Sequence, residues 1–444
     1  MPRSQPLSHS PAAKTRAEQH HASGMGWVNS ASKKAVTRRL NQLKHGIVDL
    51  HDSAGRSSHG NGKNEQRASL VVRSPKFYRE TLLGGGLGFA ESYLDGHWET
   101  QDLAELLRVF VRDISVAHQH DNGLARLKAP LLRVGSYLAR NTLRGSRKNI
   151  AAHYDLGNEF FSLFLDETMT YSSGIFYTDD DSLRDASVNK LDRICQKLNL
   201  TPAHHVLETG TGWGSFAIHA ARHYGCRVTT TTISRSQHAL AKQRIQEAGV
   251  CNLVTPILQD YRDLKGSYDK VVSIEMIEAV GHQYLGRYFA ACSELLKPDG
   301  QMLLQYISMP DHRYSQYLKT SDFIRKHVFP GSCCPSQSAV HNAVAESTDL
   351  RSVQYEDLTA HYVKTLELWR ARFEDSAEQV RELGYPQEFI RMWRYYLCYC
   401  IAGFAERYIG VGQLLLNKPG CRTPIDVKPL QFAPSALYEK AEAC

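Results

Sequence analysis

Nowhere in these 444 residues does an apolar run approach the roughly 18 to 20 consecutive residues of a membrane-spanning helix, which argues against an integral membrane protein. Cysteine is sparse as a framework: ten are scattered through a long chain, apart from Cys333-Cys334 and Cys398/Cys400. A disulfide scaffold is therefore not expected, and a reducing cytoplasm fits. The opening residues, Met1 to Ser23, are basic and polar and lack the apolar core of a secretory signal. They read as disordered, with Met25 as an alternative start. Strong charge imbalance is missing too. The net charge is +7, and no recognisable nucleic-acid motif accompanies it, so nucleic acid is not an expected partner.

What is present points to more than one core. A chain of this length, 42% hydrophobic, is expected to form two domains and a tail. The basic residues cluster: Lys33, Lys34, Arg38, Arg39 and Lys44 lie early, and Arg126, Lys128, Arg133, Arg140, Arg144, Arg147 and Lys148 crowd one amphipathic segment. A solvated face is the plain reading. The sharper one is a surface for anionic phospholipid headgroups, each basic residue contributing about 1 kcal/mol near such a membrane.

In order, Ala31 to Leu50 carries a helical apolar period through Val36, Leu40, Leu43 and Ile47. Asp52 to Asn64 reads as a loop, Ser69 to Val72 as a strand and Pro75 to Leu83 as a helix. Gly84 to Gly88 reads as a mobile turn before Phe89 to Asp95, and Asp102 to Val111 as a second helix. Ser182 is positioned to cap a helix running to Leu198. Apolar runs then alternate with helical patterns. His205 to Thr209, Arg227 to Ile233, Val254 to Leu258, Tyr268 to Ile274 and Gly300 to Ile307 are expected strands. This alternation predicts a doubly wound α/β sheet with ligands at the carboxyl ends of its strands. From Met309 onward the pattern reads as helical and aromatic, and the tail after Lys418 as loosely held.

The first strand leads into Gly210-Thr-Gly-Trp-Gly214, three glycines that let backbone approach a ligand any Cβ would obstruct. A nicotinamide dinucleotide fits poorly. Its fingerprint places the third glycine three residues after the second and an acid at the end of the next strand, whereas Gly214 follows Gly212 by two and Thr229 to Ser234 offers only hydroxyls. S-adenosylmethionine, which needs no pyrophosphate cradle, fits better.

Further motifs are Phe89-Ala-Glu-Ser-Tyr-Leu-Asp-Gly-His-Trp98, His153-Tyr-Asp-Leu-Gly-Asn158, Tyr171-Ser172-Ser173, Thr232-Ile-Ser-Arg-Ser-Gln237, Gln259-Asp-Tyr-Arg-Asp-Leu264, Glu275-Met-Ile-Glu-Ala-Val-Gly281 and Phe329-Pro330. With the glycine loop, they make the chain resemble, from about Ser69 to Gln413, the cyclopropane-fatty-acid synthase family of S-adenosylmethionine-dependent lipid methyltransferases, which includes the mycolic acid cyclopropane synthases. The resemblance implies a class I methyltransferase fold, a Rossmann-like doubly wound sheet, with a smaller, mainly helical N-terminal domain. The expected divisions are an extension (1–30), a lipid-associated domain (31–125), a basic linker (126–148), a catalytic domain (149–420) and a tail (421–444).

By position, the resemblance implies cofactor contacts from Tyr171, Ser172, Val206, Leu207, Glu208, Thr209, Gly210, Thr211, Gly212, Trp213, Gly214, Thr232, Ile233, Ser234, Arg235, Ser236, Gln237, Tyr261 and Arg262. Gln237 would serve the ribose in place of the missing acid, although Val206 and Leu207 would be core in any case. No metal is implied. The family transfers a methyl group to an acyl double bond, and a bound bicarbonate then takes a proton from the added methyl so that a ring closes. Glu278 and Tyr362 match the residues that hold the bicarbonate, while Ser173 and Gln305 stand where many bacterial members have Cys and His. Both can hydrogen-bond an anion, but the departures weaken the inference to a cyclopropane. Cys400 matches a cysteine sometimes assigned as catalytic, with packing as its plain reading. Tyr154, Phe176, Tyr306, Trp393, Tyr396 and Phe404 are candidates for stabilising a carbocation.

The resemblance therefore implies an enzyme that carries one carbon to unsaturated phospholipid acyl chains at a membrane surface, cytoplasmic and peripherally bound, with a homodimer left open. The alternatives are a methyl- or methylene-branched product, an amine methyltransferase, and a non-catalytic lipid-binding protein that keeps the fold.

Overall fold

The computed structural model describes residues 30–62, 66–113, 156–431 and 434. The amphipathic segment at Arg126 to Lys148, His153 to Asp155 of the His-Tyr-Asp motif, and Tyr154 among the ring candidates lie outside them.

The N-terminal part begins with a helix over residues 30–40 that buries Val36 and Leu40. The expected helix to Leu50 stops early. The Asp113 carboxylate accepts both the Lys44 and His45 backbone N–H groups at 2.9 Å. At Gly46 a Cβ would meet Val109 Cγ1 at 2.8 Å, so the chain passes close against its neighbour here. Strand β1 (Ile47–Asp52) follows, with Val48 and Leu50 alternating into the core at 0% and 1% exposure. The stretch expected as a loop holds β2 (Gly55–His59), a polar hairpin partner of β1 whose Ser58 hydroxyl reaches Asp49. Strand β3 (Arg67–Val72) lies parallel to β1, and β4 (Trp98–Glu99) closes the sheet in the order β2-β1-β3-β4.

Between β3 and β4 the helical stretch Lys76–Leu94 breaks at Gly85, φ 57° and ψ −140°. The glycine run is thus a kink between two helical pieces rather than a mobile turn. The helix Leu103–Arg112 is capped by Asp102, whose side chain accepts from Ala104 and Glu105. It buries Leu103, Leu106 and Leu107.

The second sheet has seven strands in the order β10-β11-β9-β8-β5-β6-β7. Strands β5 (His205–Thr209), β6 (Arg227–Thr232), β7 (Val254–Leu258), β8 (Tyr268–Ile274) and β9 (Leu296–Ser308) are parallel, so their carboxyl ends share one edge. Strand β11 (Gly410–Asn417) runs against β9, and β10 (Arg351–Asp357) against β11. These two strands correct the expectation of a purely helical C-terminal part. The Gly410–Asn417 run is buried at six successive positions, and such short apolar runs carry no period that separates strand from helix. After β5 the chain moves to β6 and β7 on one side and then to β8 on the other. That reversal opens a crevice between the ends of β5 and β8.

Ser182 caps the helix Leu183–Lys197 in a capping box with Asp185. The helices Thr359–Asp375 and Gln387–Ala405 pack on each other, and Gln387–Ala405 packs on the Leu103–Arg112 helix, which covers the small sheet, in one apolar cluster. Arg391 joins the two parts, stacking 4.1 Å over Tyr93 and donating to its carbonyl at 2.8 Å. The nine cysteines of the described residues are free, and none of their helices is long and apolar enough to cross a membrane.

Candidate active site

One wall of the crevice is the glycine loop. Val206 and Leu207 are fully buried in separate clusters, core on the two faces of β5. The loop then turns at Gly210 (φ 99°), Gly212 (φ 51°) and Gly214 (φ 89°), backbone that side chains rarely adopt. A Cβ on Gly210 would press Met276 at 3.2 Å, while one on Gly212 would meet open space. The loop is pinned from below: Gly210 and Thr211 N–H both donate to the Thr231 carbonyl at 3.0 Å. Glu208 beneath it is 2% exposed and accepts from Thr230 Oγ1. Burial pushes its carboxyl up to about 8, against that hydrogen bond and the charge of Lys190.

Neighbouring loops continue the wall. Ser234 caps the helix Arg235–Glu247 by accepting from Gln237 N–H, and Thr232 Oγ1 donates to Gln237 Oε1 at 2.9 Å. Gln237 is therefore anchored at the end of β6. Ile233 and Ser236 are half-buried and Arg235 is exposed. Asn158 Oδ1 accepts from Trp213 Nε1 at 2.7 Å and from Ser236 at 3.3 Å, tying the last residue of the His153 to Asn158 motif to the glycine loop. Past β7, Asp260 clamps Arg262 through two guanidinium nitrogens, and Arg262 lies over the Tyr261 ring. Open space before Gly212, a polar side chain at the end of β6 and rings on either side suit a nucleoside carrying an amino-acid chain.

The other wall follows β8, where a second carboxylate stands beside the expected Glu278. Ser173, Gln305 and Tyr362 do converge, but on Glu275 rather than Glu278. Glu275 Oε1 accepts from Ser173 N–H at 3.0 Å and Gln305 Nε2 at 2.9 Å, and Oε2 accepts from the Tyr362 hydroxyl at 2.9 Å. Glu275 has φ 49°, a left-handed conformation that costs a non-glycine residue about 1–3 kcal/mol and recurs at functional sites. Burial raises its pKa, opposed by Gln305, Ser173, the Lys190 charge and Tyr362.

Glu278, one turn further, accepts Ile307 N–H at 2.6 Å on Oε1 and has no partner on its buried Oε2. Burial and the charge of Glu275 push its carboxyl up to about 8. Lys190, buried beneath, donates to Ser172 Oγ at 2.9 Å, and burial pulls it down to about 8 against the charges of Glu275, Asp166 and Glu208.

The orientation of Gln305 follows from a chain of donors. The Lys197 ammonium can only donate, and it meets Gln413 Oε1 at 2.8 Å. The Gln413 amide nitrogen therefore faces Gln305 Oε1, at 3.0 Å, and the Gln305 amide nitrogen faces Glu275.

Rings surround this carboxylate. Tyr362 packs on Phe404 at 4.6 Å and edge-on to Trp369 at 6.0 Å, Trp369 on Tyr171 at 5.3 Å, and the Tyr171 and Tyr396 hydroxyls lie 3.0 Å apart. Trp393 sits behind Tyr396 at 5.2 Å. Two ring candidates fall elsewhere. Tyr306 follows Gln305 on β9 and so faces the opposite side, near Tyr355. Phe176 stacks on His361 under Lys364. Burial pushes the Cys400 thiol well up, which disfavours a thiolate and supports packing as its role.

Residues 141–414 match the family described as mycolic acid cyclopropane synthetase. The chain belongs to this family. Among its relatives, the tuberculostearic acid methyltransferase UfaA1 of Mycobacterium tuberculosis is 40% identical over 88% of this chain and 93% of its own. The cyclopropane-fatty-acyl-phospholipid synthase of Escherichia coli K12 is 34% identical over 79% and 88%. The solved mycolic acid cyclopropane synthase CmaA1, complexed with SAH and CTAB, superposes with a TM-score of 0.58 at 31% identity, covering 61% of this chain and 98% of that one. This cyclopropane synthase family member therefore has the class I methyltransferase fold and uses S-adenosylmethionine as methyl donor.

Glu275 is the residue that sequence reasoning passed over. Its one local signal was a carboxylate directly after an apolar strand, at the end where ligands bind. Its partners lie 102, 30 and 87 residues away.

Proposed function

We propose that this protein transfers one carbon from S-adenosylmethionine to the double bond of an unsaturated fatty acyl chain in a phospholipid, forming a cyclopropane. One observation carries the reading: a triply hydrogen-bonded carboxyl group, Glu275, set among Tyr362, Tyr171, Trp369, Tyr396 and Phe404 at the end of β8, beside the glycine loop. An isolated alkene is a poor nucleophile, so the reaction depends on alignment, exclusion of water and relief of positive charge. Rings and a carboxylate supply that relief for a carbocation, and a nitrogen nucleophile would need neither.

Bound S-adenosylmethionine supplies an electrophilic methyl group. The glycine loop, Gln237 and the Tyr261-Arg262 pair hold it in this reading, with Tyr171 and Ser172 closing from the β8 side. The rings line the path of the acyl chain, and the exposed Lys34 and Arg38 on the first helix meet anionic headgroups.

A second reading is favoured by the 40% identity to a tuberculostearic acid methyltransferase. If a hydride migrates before a proton leaves, the same cation yields a methylene branch. Incubation with unsaturated phospholipid vesicles and methyl-labelled S-adenosylmethionine tests both. The expected product is a labelled acyl chain one CH2 heavier with cyclopropane protons by NMR. Vinylidene protons instead would replace ring closure by branching, and label confined to added small amines would overturn the lipid reading.

A further inference from the structure

We propose that the Glu275 side chain stands where the family's bicarbonate would, so that this protein carries its own base and works without the ion. This rests on the acyl-chain reading above and deepens it.

Of the residues expected to hold a bicarbonate, Ser173, Gln305 and Tyr362 have no donor left to give it. Ser173 N–H, Gln305 Nε2 and Tyr362 OH all end on Glu275, and the Ser173 hydroxyl donates to the Gly174 carbonyl at 3.0 Å. Ile307 N–H, the backbone donor at this place, ends on Glu278. Two buried atoms without a partner remain here, Trp369 Nε1, a single ring donor, and Glu278 Oε2, one carboxyl oxygen beside a second carboxylate. An oxyanion needs several donors, and one carboxyl group beside it does not replace the three that end on Glu275. Bicarbonate and the Glu275 carboxyl group share what the donors meet, a planar carbon bearing two acceptor oxygens. The Gln305 amide, its orientation fixed by Gln413, is already turned to present N–H to that shape.

The step balances with groups in hand. The alkene π pair bonds to the methyl carbon, and the carbon–sulfur bond breaks with its pair left on sulfur. A cation remains on the neighbouring acyl carbon. A Glu275 oxygen takes a proton from the added methyl group, the freed C–H pair closes the third bond of the ring, and the carboxyl group later returns its proton to water. No further oxidant, reductant or ion enters.

The test has two arms on the full-length protein. In the first, turnover on unsaturated phospholipid vesicles is measured in degassed, bicarbonate-free buffer and after adding bicarbonate. The rate of the unaltered protein should be the same in both. Glu275→Gln, which keeps shape and hydrogen bonds, should lose about 100-fold or more in rate, with S-adenosylmethionine affinity unchanged by calorimetry. Glu275→Gly should lose as much and regain rate with bicarbonate or formate. In the second, 13C-bicarbonate is titrated and followed by NMR, a readout that needs no lipid turnover. The unaltered protein should leave the resonance unperturbed, and Glu275→Gly should broaden or shift it.

A rate that falls on depletion and returns with bicarbonate would overturn the proposal. So would saturable 13C-bicarbonate binding to the unaltered protein that Tyr362→Phe abolishes, or a Glu275→Gln protein within about threefold of the unaltered rate. An absence of lipid product in every buffer sinks the acyl-chain reading instead, and the titration still decides the role of Glu275.

Discussion

The loop after β5 and the loop after β8 face each other across one crevice, yet they are made differently. The β5 loop is backbone: three glycines at positive φ, pinned to the Thr231 carbonyl, with open space before Gly212. The β8 loop is side chain: Glu275 in a left-handed conformation, held by donors from three distant segments, with Glu278 behind it. A backbone wall accommodates a ligand by leaving room. A side-chain wall acts by placing charge, and it depends on every element that supplies a donor.

The largest effect should come from filling the backbone wall. Gly212→Val puts a branched side chain into open space at φ 51°. S-adenosylmethionine affinity should fall by about 100-fold, equal to about 2.7 kcal/mol, by calorimetry. Loss of binding without wholesale unfolding by circular dichroism would separate ligand clash from misfolding.

On the side-chain wall, Tyr362→Phe removes one of three donors to Glu275 and leaves the rings in place. A hydrogen bond to a charged group contributes about 1.5–3 kcal/mol, so turnover should drop roughly 10- to 100-fold with cofactor affinity kept. Equal loss of both would show that the two walls are not separable.

A smaller effect is expected from pH. The folded pKa of Glu278, about 8, lies above its ordinary 4.5. The stability tied to its neutral form is complete below about 4.5 and is lost as pH rises through about 8. Scanning calorimetry should show the melting temperature falling more between about pH 7 and about pH 9 in the unaltered protein than in Glu278→Gln. Parallel curves would mean that Glu278 is already ionised.

The smallest belongs to Cys400. Cys400→Ser should keep turnover within about threefold, because its thiol is held protonated among rings. A loss beyond about 100-fold with unchanged melting temperature would return it to the chemistry.

The same contrast explains what the sequence disclosed. The β5 wall is local: strand, glycines and the Ser234 cap lie within a short span, each with a type-specific cue. The capping box at Ser182 was legible for the same reason. The β8 wall was not, because choosing between Glu275 and Glu278 requires knowing which carboxylate meets Ser173 and Tyr362, and no period encodes that. Ile47 happened to fit a helical spacing and was drawn into a helix that Asp113 ends from far along the chain. Strands β10 and β11 escaped notice because one is exposed and polar and the other buried on both faces.

Gln413 sits directly opposite Gln305 in the register of β11 on β9, and its amide turns that of Gln305 toward Glu275. Synthesis proceeds from the N-terminus, so the glycine loop leaves the ribosome long before β11 does. A nascent chain can therefore shape its nucleoside pocket while Glu275 still lacks an oriented partner, and chemical competence arrives with one of the last strands to be made.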